Sequence, residues 1–151
     1  MPVMRPMRVL FVCVGNAYRS QMAEGFARKL GQDILVADSA GLTPVDAIPI
    51  DCIDLMKEKG IDLAQQFPKA VSYLDVKSYD LVVNMTGLSI PTLPPTSTRV
   101  WSVTDPVGQK IDNIRVVRDE VERLVMGLIL ELRRMRESWD KPRLHPKLRG
   151  V

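Results

Sequence analysis

Histidine is almost absent from this sequence, and cysteine and aromatic residues are scarce. The 151 residues include one histidine and two cysteines, while Phe, Tyr and Trp together make up 5%. Cys13 and Cys52 are far apart and form no CxxC pair. Because zinc sites gather several Cys and His ligands, this scarcity excludes most classes of metal site. We therefore expect neither a metal nor another cofactor.

The single histidine also restricts acid–base catalysis. A Ser-His-Asp or Cys-His arrangement would have to use His145, which lies in the basic tail "KPRLHPKLRGV", and we expect no catalytic role for it. Residues 140–151 hold four basic side chains and one acidic one, so they account for the whole net charge of +3. The basicity thus belongs to a tail, which is typical of a solvated segment, and we expect no nucleic-acid partner.

Long hydrophobic runs are lacking as well. No apolar run approaches the roughly 20 residues that a membrane span needs. The N-terminal stretch "MPVMRPMRVLFVCVG" has only a brief apolar run and no small-residue cleavage site, unlike a signal peptide. We therefore expect a cytoplasmic protein without a membrane partner.

Strand and helix patterns alternate along the chain. Continuous apolar runs predict buried strands at residues 8–14, 33–41, 79–86 and 98–103. Helical spacing predicts helices at 19–31, 48–60 and 112–137, with Asp112 as the N-cap of the last. This alternation indicates an α/β fold, a small three-layer domain with a four-stranded parallel sheet flanked by helices. We assign residues 1–137 to this domain and residues 138–151 to a basic C-terminal tail.

The stretch "CVGNAYRS", residues 13–20, connects the first strand to the first helix. Ligands of open α/β sheets bind at such carboxyl ends of strands. Successive backbone amides and the following helix N-terminus can surround an anion, and glycine and asparagine tolerate the left-handed backbone that this requires. We predict a phosphate-binding loop made of the following residues: Val14, Gly15, Asn16, Ala17, Tyr18, Arg19 and Ser20.

A cysteine at the floor of an anion site has two consequences. The loop amides and Arg19 favour the thiolate over the thiol, and Ser20 can donate a hydrogen bond to it. The same loop binds the oxyanion that the thiolate would attack, with Arg19 holding two oxygens at once. A buried structural cysteine is the alternative, but the spacing of five residues between Cys13 and Arg19 favours a nucleophile.

These motifs resemble a known family. Cys13 to Ser20 looks like the signature loop of the low-molecular-weight protein tyrosine phosphatases and the related thioredoxin-coupled arsenate reductases. "RSQMAEG", "DSAG", "YDLVVNM", "DPVG" and "RVVRDEVERL" follow in the family's order, over roughly residues 7–135. The resemblance implies the sheet order 2-1-3-4. It also implies that Asn16 and Ser39 brace the loop from outside, although Ser39 could equally be a strand-end cap.

The expected reaction needs a proton donor for the leaving oxygen. With histidine unavailable, a carboxylate must supply it, and Asp105 in "VTDPVG" is the candidate. The resemblance places the family's Asp-Pro acid at Asp105-Pro106, although an Asp-Pro turn would be the simpler interpretation of this dipeptide alone. Cys13, Arg19 and Asp105 are therefore the predicted catalytic residues.

Two departures from the resemblance bear on redox chemistry. Thr86 and Ile90 stand about where the arsenate reductases carry their further cysteines, which excludes a disulfide relay through this segment. Cys52 matches neither position, and we expect it to be structural. Tyr18 replaces a cysteine that many relatives carry, so oxidised Cys13 has no neighbouring thiol.

Other departures bear on a phosphatase. Val107 and Gly108 follow Asp105-Pro106, where these enzymes carry aromatic residues, and Gln21 stands where they usually have proline. A phosphatase acting on phosphotyrosine or small aryl phosphates is still our first hypothesis. An arsenate reductase that uses an external thiol is the second, and a non-catalytic oxyanion-binding module is the third. The expected partners are thus a phosphorylated protein or a small oxyanion and, for the second hypothesis, a thiol donor.

Overall fold

A computed structural model describes residues 5–140, in which four strands alternate with three α-helices. The strands are β1 Met7–Cys13, β2 Leu35–Gly41, β3 Leu81–Asn84 and β4 Thr98–Val100. The α-helices are α1 Arg19–Leu30, α2 Ile50–Lys57 and α3 Ile111–Asp140. Short 3₁₀ turns lie at Val71–Tyr73, Val76–Ser78 and Pro95–Ser97.

The strands form one parallel sheet of order β2-β1-β3-β4, which confirms the predicted fold class and strand order. Cys13 pairs with Gly41, and Asn84 pairs with both Val12 and Val100. The carboxyl ends of the strands therefore lie along one edge of the sheet. The strand order reverses beside β1, and ligands of such sheets bind at this point of the edge.

Alternation along the strands separates two cores. Val9, Phe11 and Cys13 face the larger core, which contains buried residues from all three α-helices. Leu10 and Val12 face a smaller core, covered by the 3₁₀ turns between residues 71 and 78 and by the loop around residues 90–93. The second outer layer therefore consists of turns and loop, whereas the first consists of helices.

Several predicted boundaries differ from the structure. β3 and β4 are shorter than expected, and the backbone carbonyls of Met85 and Val103, beyond their ends, accept hydrogen bonds from Arg19. Asp112 is not the N-cap of α3, since the helix already begins at Ile111. The Asp112 carboxylate instead accepts a hydrogen bond from Arg115, one turn further along.

Helix α3 continues three residues beyond its predicted end at residue 137. Its apolar face packs against α1 and α2, with Val121 fully buried and Leu124 half-buried. His145 lies outside the described residues, and the division between residues 1–137 and 138–151 stays a prediction. Among residues 5–140, no helix combines the length and the apolar character that crossing a membrane requires.

Candidate active site

The loop between β1 and α1 turns sharply at Asn16. Its φ of 50° lies in the left-handed region, which asparagine adopts more readily than most residues. Asn16 is fully buried, and the Cys13 side chain beside it is 2% exposed. The Cys13 side chain therefore lies at the bottom of this loop, largely shielded from solvent.

Neighbouring backbone holds the carbonyl groups of this loop. The amides of Leu42, Thr43 and Val45 donate to the carbonyl oxygens of Cys13, Val14 and Gly15, at 3.2, 2.8 and 3.0 Å. In a planar trans peptide the N–H points opposite to the C=O. The amides of Val14, Gly15 and Asn16 therefore point away from the backbone of residues 42–45. This orientation is that of an anion-binding nest.

A line of hydrogen bonds runs from Cys13 into the protein. Asn16 Nδ2 donates to Ser20 Oγ at 2.7 Å and to Ser39 Oγ at 2.9 Å. Because Ser20 Oγ already accepts this bond, its hydrogen can point to Cys13 Sγ, 2.8 Å away. Ser39 Oγ in turn donates to Glu24 Oε1 at 2.7 Å. Through Ser20, this line of hydrogen bonds reaches the Cys13 sulfur.

Glu24 is the buried acidic end of this line. Its side chain is 1% exposed, and burial raises the pKa of its carboxyl above the ordinary 4.5. The bond from Ser39 and the charge of Arg28, 2.6 Å away, partly offset that effect of burial.

Arg19 is fixed by the ends of two strands. Its Nη1 donates to the carbonyl oxygens of Met85 at 2.6 Å and Val103 at 3.3 Å. Its Nη2 lies 3.6 Å from Asp105 Oδ2, and the Arg19 side chain is 6% exposed. Arg19 therefore presents its remaining donors to the pocket without needing to reorganise.

Asp105 approaches this guanidinium from a more open loop. Its side chain is 50% exposed, and its Oδ1 accepts a hydrogen bond from the amide of Val107 at 3.1 Å. The carboxylate thus lies beside the Arg19 guanidinium, at the pocket and next to solvent. A proton donor for a departing oxygen needs such a place.

The pocket enclosed by these groups measures about 120 Å³. Its lining consists of Cys13, Val14, Gly15, Ala17, Tyr18, Arg19, Val45, Asp105 and Val107. Tyr18 Oη donates to Asp51 at 2.9 Å, and burial together with this bond raises the pKa of Tyr18. Val45 and Val107 are exposed and form an aliphatic rim. Two other aromatic residues lie elsewhere, since Trp101 packs against Phe11 and Tyr73 is exposed.

Cys52 is buried on α2, close enough to the site to interact electrostatically with Cys13 and Asp51. Burial, chiefly, raises the pKa of its thiol to about 12. Such a thiol is protonated at neutral pH and is a poor nucleophile. Across the described part of the chain, no three His, Cys, Asp or Glu side chains lie together as metal ligands would.

Comparison with known proteins agrees with this geometry. The family model described as "Low molecular weight phosphotyrosine protein phosphatase" matches residues 8–138. The chain belongs to this family. The predicted family resemblance is therefore confirmed, and it is a family of enzymes.

Members of the family with different activities are similar to this chain. The glutaredoxin arsenate reductase of Synechocystis sp. is 35% identical over 129 residues, covering 83% of this chain and 98% of that protein. A structure of an arsenate reductase in the phosphate-binding state has a TM-score of 0.78 at 34% identity, covering 83% and 98%. The low-molecular-weight protein tyrosine phosphatase from T. tengcongensis has a TM-score of 0.73 at 30% identity, covering 83% and 99%.

The structure brings the predicted site residues of this family member together. Cys13, Arg19 and Asp105 line one pocket, and the loop residues from Val14 to Ser20 form or adjoin its floor. Ser39 contacts the loop through Asn16, as the resemblance implied. Thr86 bonds within its own turn, to Asn84 Oδ1, and Ile90 packs against the smaller core. The catalytic and supporting roles assigned to Cys13, Arg19, Asp105 and Ser39 stay predictions.

Several residues that support the loop between Cys13 and Ser20 were not identified from the sequence. Glu24 and Gln21 lie inside the recognised motif "RSQMAEG", but nothing in the sequence showed what they contact. Gln66 reaches Gln21 across 45 positions. A Cβ at Gly41 would lie 2.8 Å from the Asn16 amide nitrogen and the Val14 carbonyl oxygen, so only glycine fits behind the loop. The glycine of "DSAG" was the available signal for that close approach.

Proposed function

We propose that this protein is an arsenate reductase in which Cys13 attacks arsenate and an external thiol completes the reduction. The pocket carries this proposal. Its small volume of about 120 Å³ suits one tetrahedral oxyanion. Pockets for drug-sized ligands measure roughly 300–1,000 Å³, so this pocket leaves little room for a large leaving group.

The aliphatic rim and the relatives support the same choice. Val45 and Val107 offer no aromatic wall for a phenyl ring. The sequence alone put a phosphatase first, whereas the 35% identical arsenate reductase favours the second hypothesis. The pocket suits tetrahedral oxyanions as a class, so the choice of arsenate depends on the aliphatic rim and on the relatives.

The first step would form a bond between sulfur and arsenic. The Cys13 thiolate attacks arsenic while Arg19 and the loop amides stabilise the charge on the remaining oxygens. One As–O bond breaks, and its oxygen takes a proton from Asp105 and departs as water. The product is a covalent adduct between Cys13 and arsenic(V).

The second step requires a reductant from outside the chain. An external thiolate attacks Cys13 Sγ, the electron pair of the S–As bond stays on arsenic, and arsenite departs as arsenic(III). A second external thiol then attacks the mixed disulfide. Cys13 is released as a thiol, and the two external thiols are joined in one disulfide. In sum, two thiols become one disulfide, arsenic gains two electrons and one oxygen leaves as water. Thr86 and Ile90 cannot supply a thiol, and Cys52 is buried and protonated.

The test is arsenite production by purified protein given arsenate with glutathione and glutaredoxin, mycothiol with its matching glutaredoxin, or thioredoxin. We expect turnover with at least one donor system. Cys13→Ser should abolish it, while Cys52→Ser, the matched cysteine control, should retain it. Failure with every donor system would contradict the proposal.

An aryl phosphatase is the second candidate, favoured by the absence of relay cysteines, since a phosphatase needs no reductant. Cys13 would attack phosphorus, Asp105 would protonate the leaving oxygen, and water would hydrolyse the cysteinyl-phosphate. Metal-independent turnover of para-nitrophenyl phosphate in EDTA, without arsenate reduction, would establish this candidate. Phosphate binding without either turnover would indicate an oxyanion-binding module.

A further inference from the structure

We infer that Gln21 and Gln66 are positioning residues that hold one peptide unit of the catalytic loop in its anion-binding orientation. The inference rests on the oxyanion site of the proposed function and concerns its affinity. Neither side chain lines the pocket. Any effect they have on the substrate must therefore pass through the loop.

Gln21 contacts the loop from inside the protein. Its side chain is fully buried, and its Nε2 donates to the carbonyl oxygen of Asn16 at 3.0 Å. Because C=O and N–H are opposed in a planar peptide, this bond turns the Ala17 amide away from Gln21 and toward the pocket. Gln21 therefore orients the Ala17 amide by binding the preceding carbonyl oxygen. The amides of residues 42–45 orient those of Val14, Gly15 and Asn16 in the same way.

Gln66 fixes the orientation of Gln21. Its Nε2 donates to the Gln21 side-chain Oε1 at 2.9 Å and to the Gln21 backbone oxygen at 3.0 Å. With Oε1 occupied as an acceptor, the Gln21 amide must present its NH₂ to Asn16. The two glutamines thus form a directed pair of donors that ends at the loop.

The peptide they hold needs such a constraint. Asn16 already has a positive φ, and rotation of the Asn16–Ala17 peptide would turn a carbonyl oxygen toward the bound anion. Loss of the Gln21 donor would also leave the buried Asn16 carbonyl oxygen without its partner. We therefore expect weaker oxyanion binding when the donor is removed.

The experiment measures the affinity of the full chain for inorganic phosphate and for arsenate by isothermal titration calorimetry, without turnover. Gln21→Met keeps the side-chain length and removes both hydrogen bonds, and we expect affinity to fall roughly tenfold. Gln66→Met should lower affinity about threefold, and less when Gln21→Met is already present, because the two residues act as a pair. Gln65→Met, an exposed neighbour, is the matched control and should bind as the unmodified protein does.

Gln21→Glu adds a readout that a merely structural role would not move. As a carboxylate it faces the Asn16 carbonyl oxygen without a donor, whereas as a carboxylic acid it can donate again. Its affinity relative to the unmodified protein at the same pH should recover as pH falls from 8 to 5. Gln21→Met should show no such recovery. Thermal unfolding of each variant verifies that it is folded.

Two failures can be told apart. If the unmodified protein binds neither phosphate nor arsenate, the proposed function fails. If it binds them and the folded Gln21→Met, Gln21→Glu and Gln66→Met proteins bind equally well, the positioning inference is overturned. Should Gln21→Met not fold, the pH recovery of Gln21→Glu and the loss in Gln66→Met decide the question.

Discussion

The Cys13–Ser20 loop and the loop that carries Asp105 meet at Arg19, yet they are held in place very differently. Asn16 is fully buried, and its side-chain amide makes hydrogen bonds to Ser20, Ser39 and the Lys69 backbone. Asp105 is half-exposed and held by one backbone amide and an ion pair at 3.6 Å. One side of the site is therefore fixed and the other is open to solvent.

This difference corresponds to the two ends of the proposed reaction. The tetrahedral oxyanion has nearly the same size and shape in an arsenate and in a phosphate ester, so the side that would bind it can be rigid. Preorganised donors lower the barrier most effectively. The departing group differs between a hydroxide and an alcohol. An acid on an exposed loop can protonate either one.

The largest expected effect comes from replacing the Cys13 thiol while leaving the fixed loop around it intact. Cys13→Ser keeps the loop and its hydrogen bonds but replaces the thiolate by a poor nucleophile. We expect turnover of arsenate and of para-nitrophenyl phosphate to fall at least roughly a thousandfold. Phosphate binding, measured by calorimetry, should persist. Loss of phosphate binding together with turnover would mean that the thiolate itself maintains the anion site.

Removing the acid tests the open side. Asp105→Asn should lower the turnover of substrates with poor leaving groups by roughly 10²–10⁴, because their departing oxygen needs a proton. The loss should be smaller with para-nitrophenyl phosphate, since nitrophenoxide departs easily. The control is Asp46→Asn, at an exposed aspartate beside the rim. Equal losses for good and poor leaving groups would remove Asp105 as the acid.

Crowding the fixed side should cost stability. The Cβ of Gly41→Ala would overlap the backbone of Asn16 and Val14, so we expect the free energy of unfolding to fall by about 2–3 kcal/mol. Gly127→Ala is the matched control in α3, where a Cβ meets nothing within 4 Å, and should add about 0.5–1 kcal/mol. Urea unfolding measures both. An unchanged Gly41→Ala protein would show that the catalytic loop yields easily.

The smallest effect concerns the pH dependence of stability. Because the folded-state pKa of Glu24 is raised, the folded protein retains a proton that the unfolded chain has already lost. The free energy of unfolding should therefore fall as pH rises from 4.5 through the raised pKa, by at most about 1.4 kcal/mol per pH unit. Urea unfolding from pH 4 to 8, compared with Glu24→Gln, isolates this contribution. A difference between the two proteins that does not vary with pH would contradict it.

Local patterns made the fold and the first layer of the site predictable. Apolar runs and helical spacing indicated every strand and α-helix of the described chain, and the spacing between Cys13 and Arg19 indicated the anion loop. The partners that hold the loop from behind were not predictable. Gln66 meets Gln21, and Lys69 meets Asn16, across more than forty positions. Such contacts depend on how the connections pack, which no short motif encodes.

The tethering of Arg19 has a consequence for how this enzyme family can vary. The guanidinium bridges the backbone just after β3 and the segment following β4, so its position depends on the distance between those two chain segments. A substitution that changes the twist of the sheet at this edge would displace the charge without touching the pocket. We therefore expect substitutions along the β4 edge to change oxyanion affinity without altering the pocket lining.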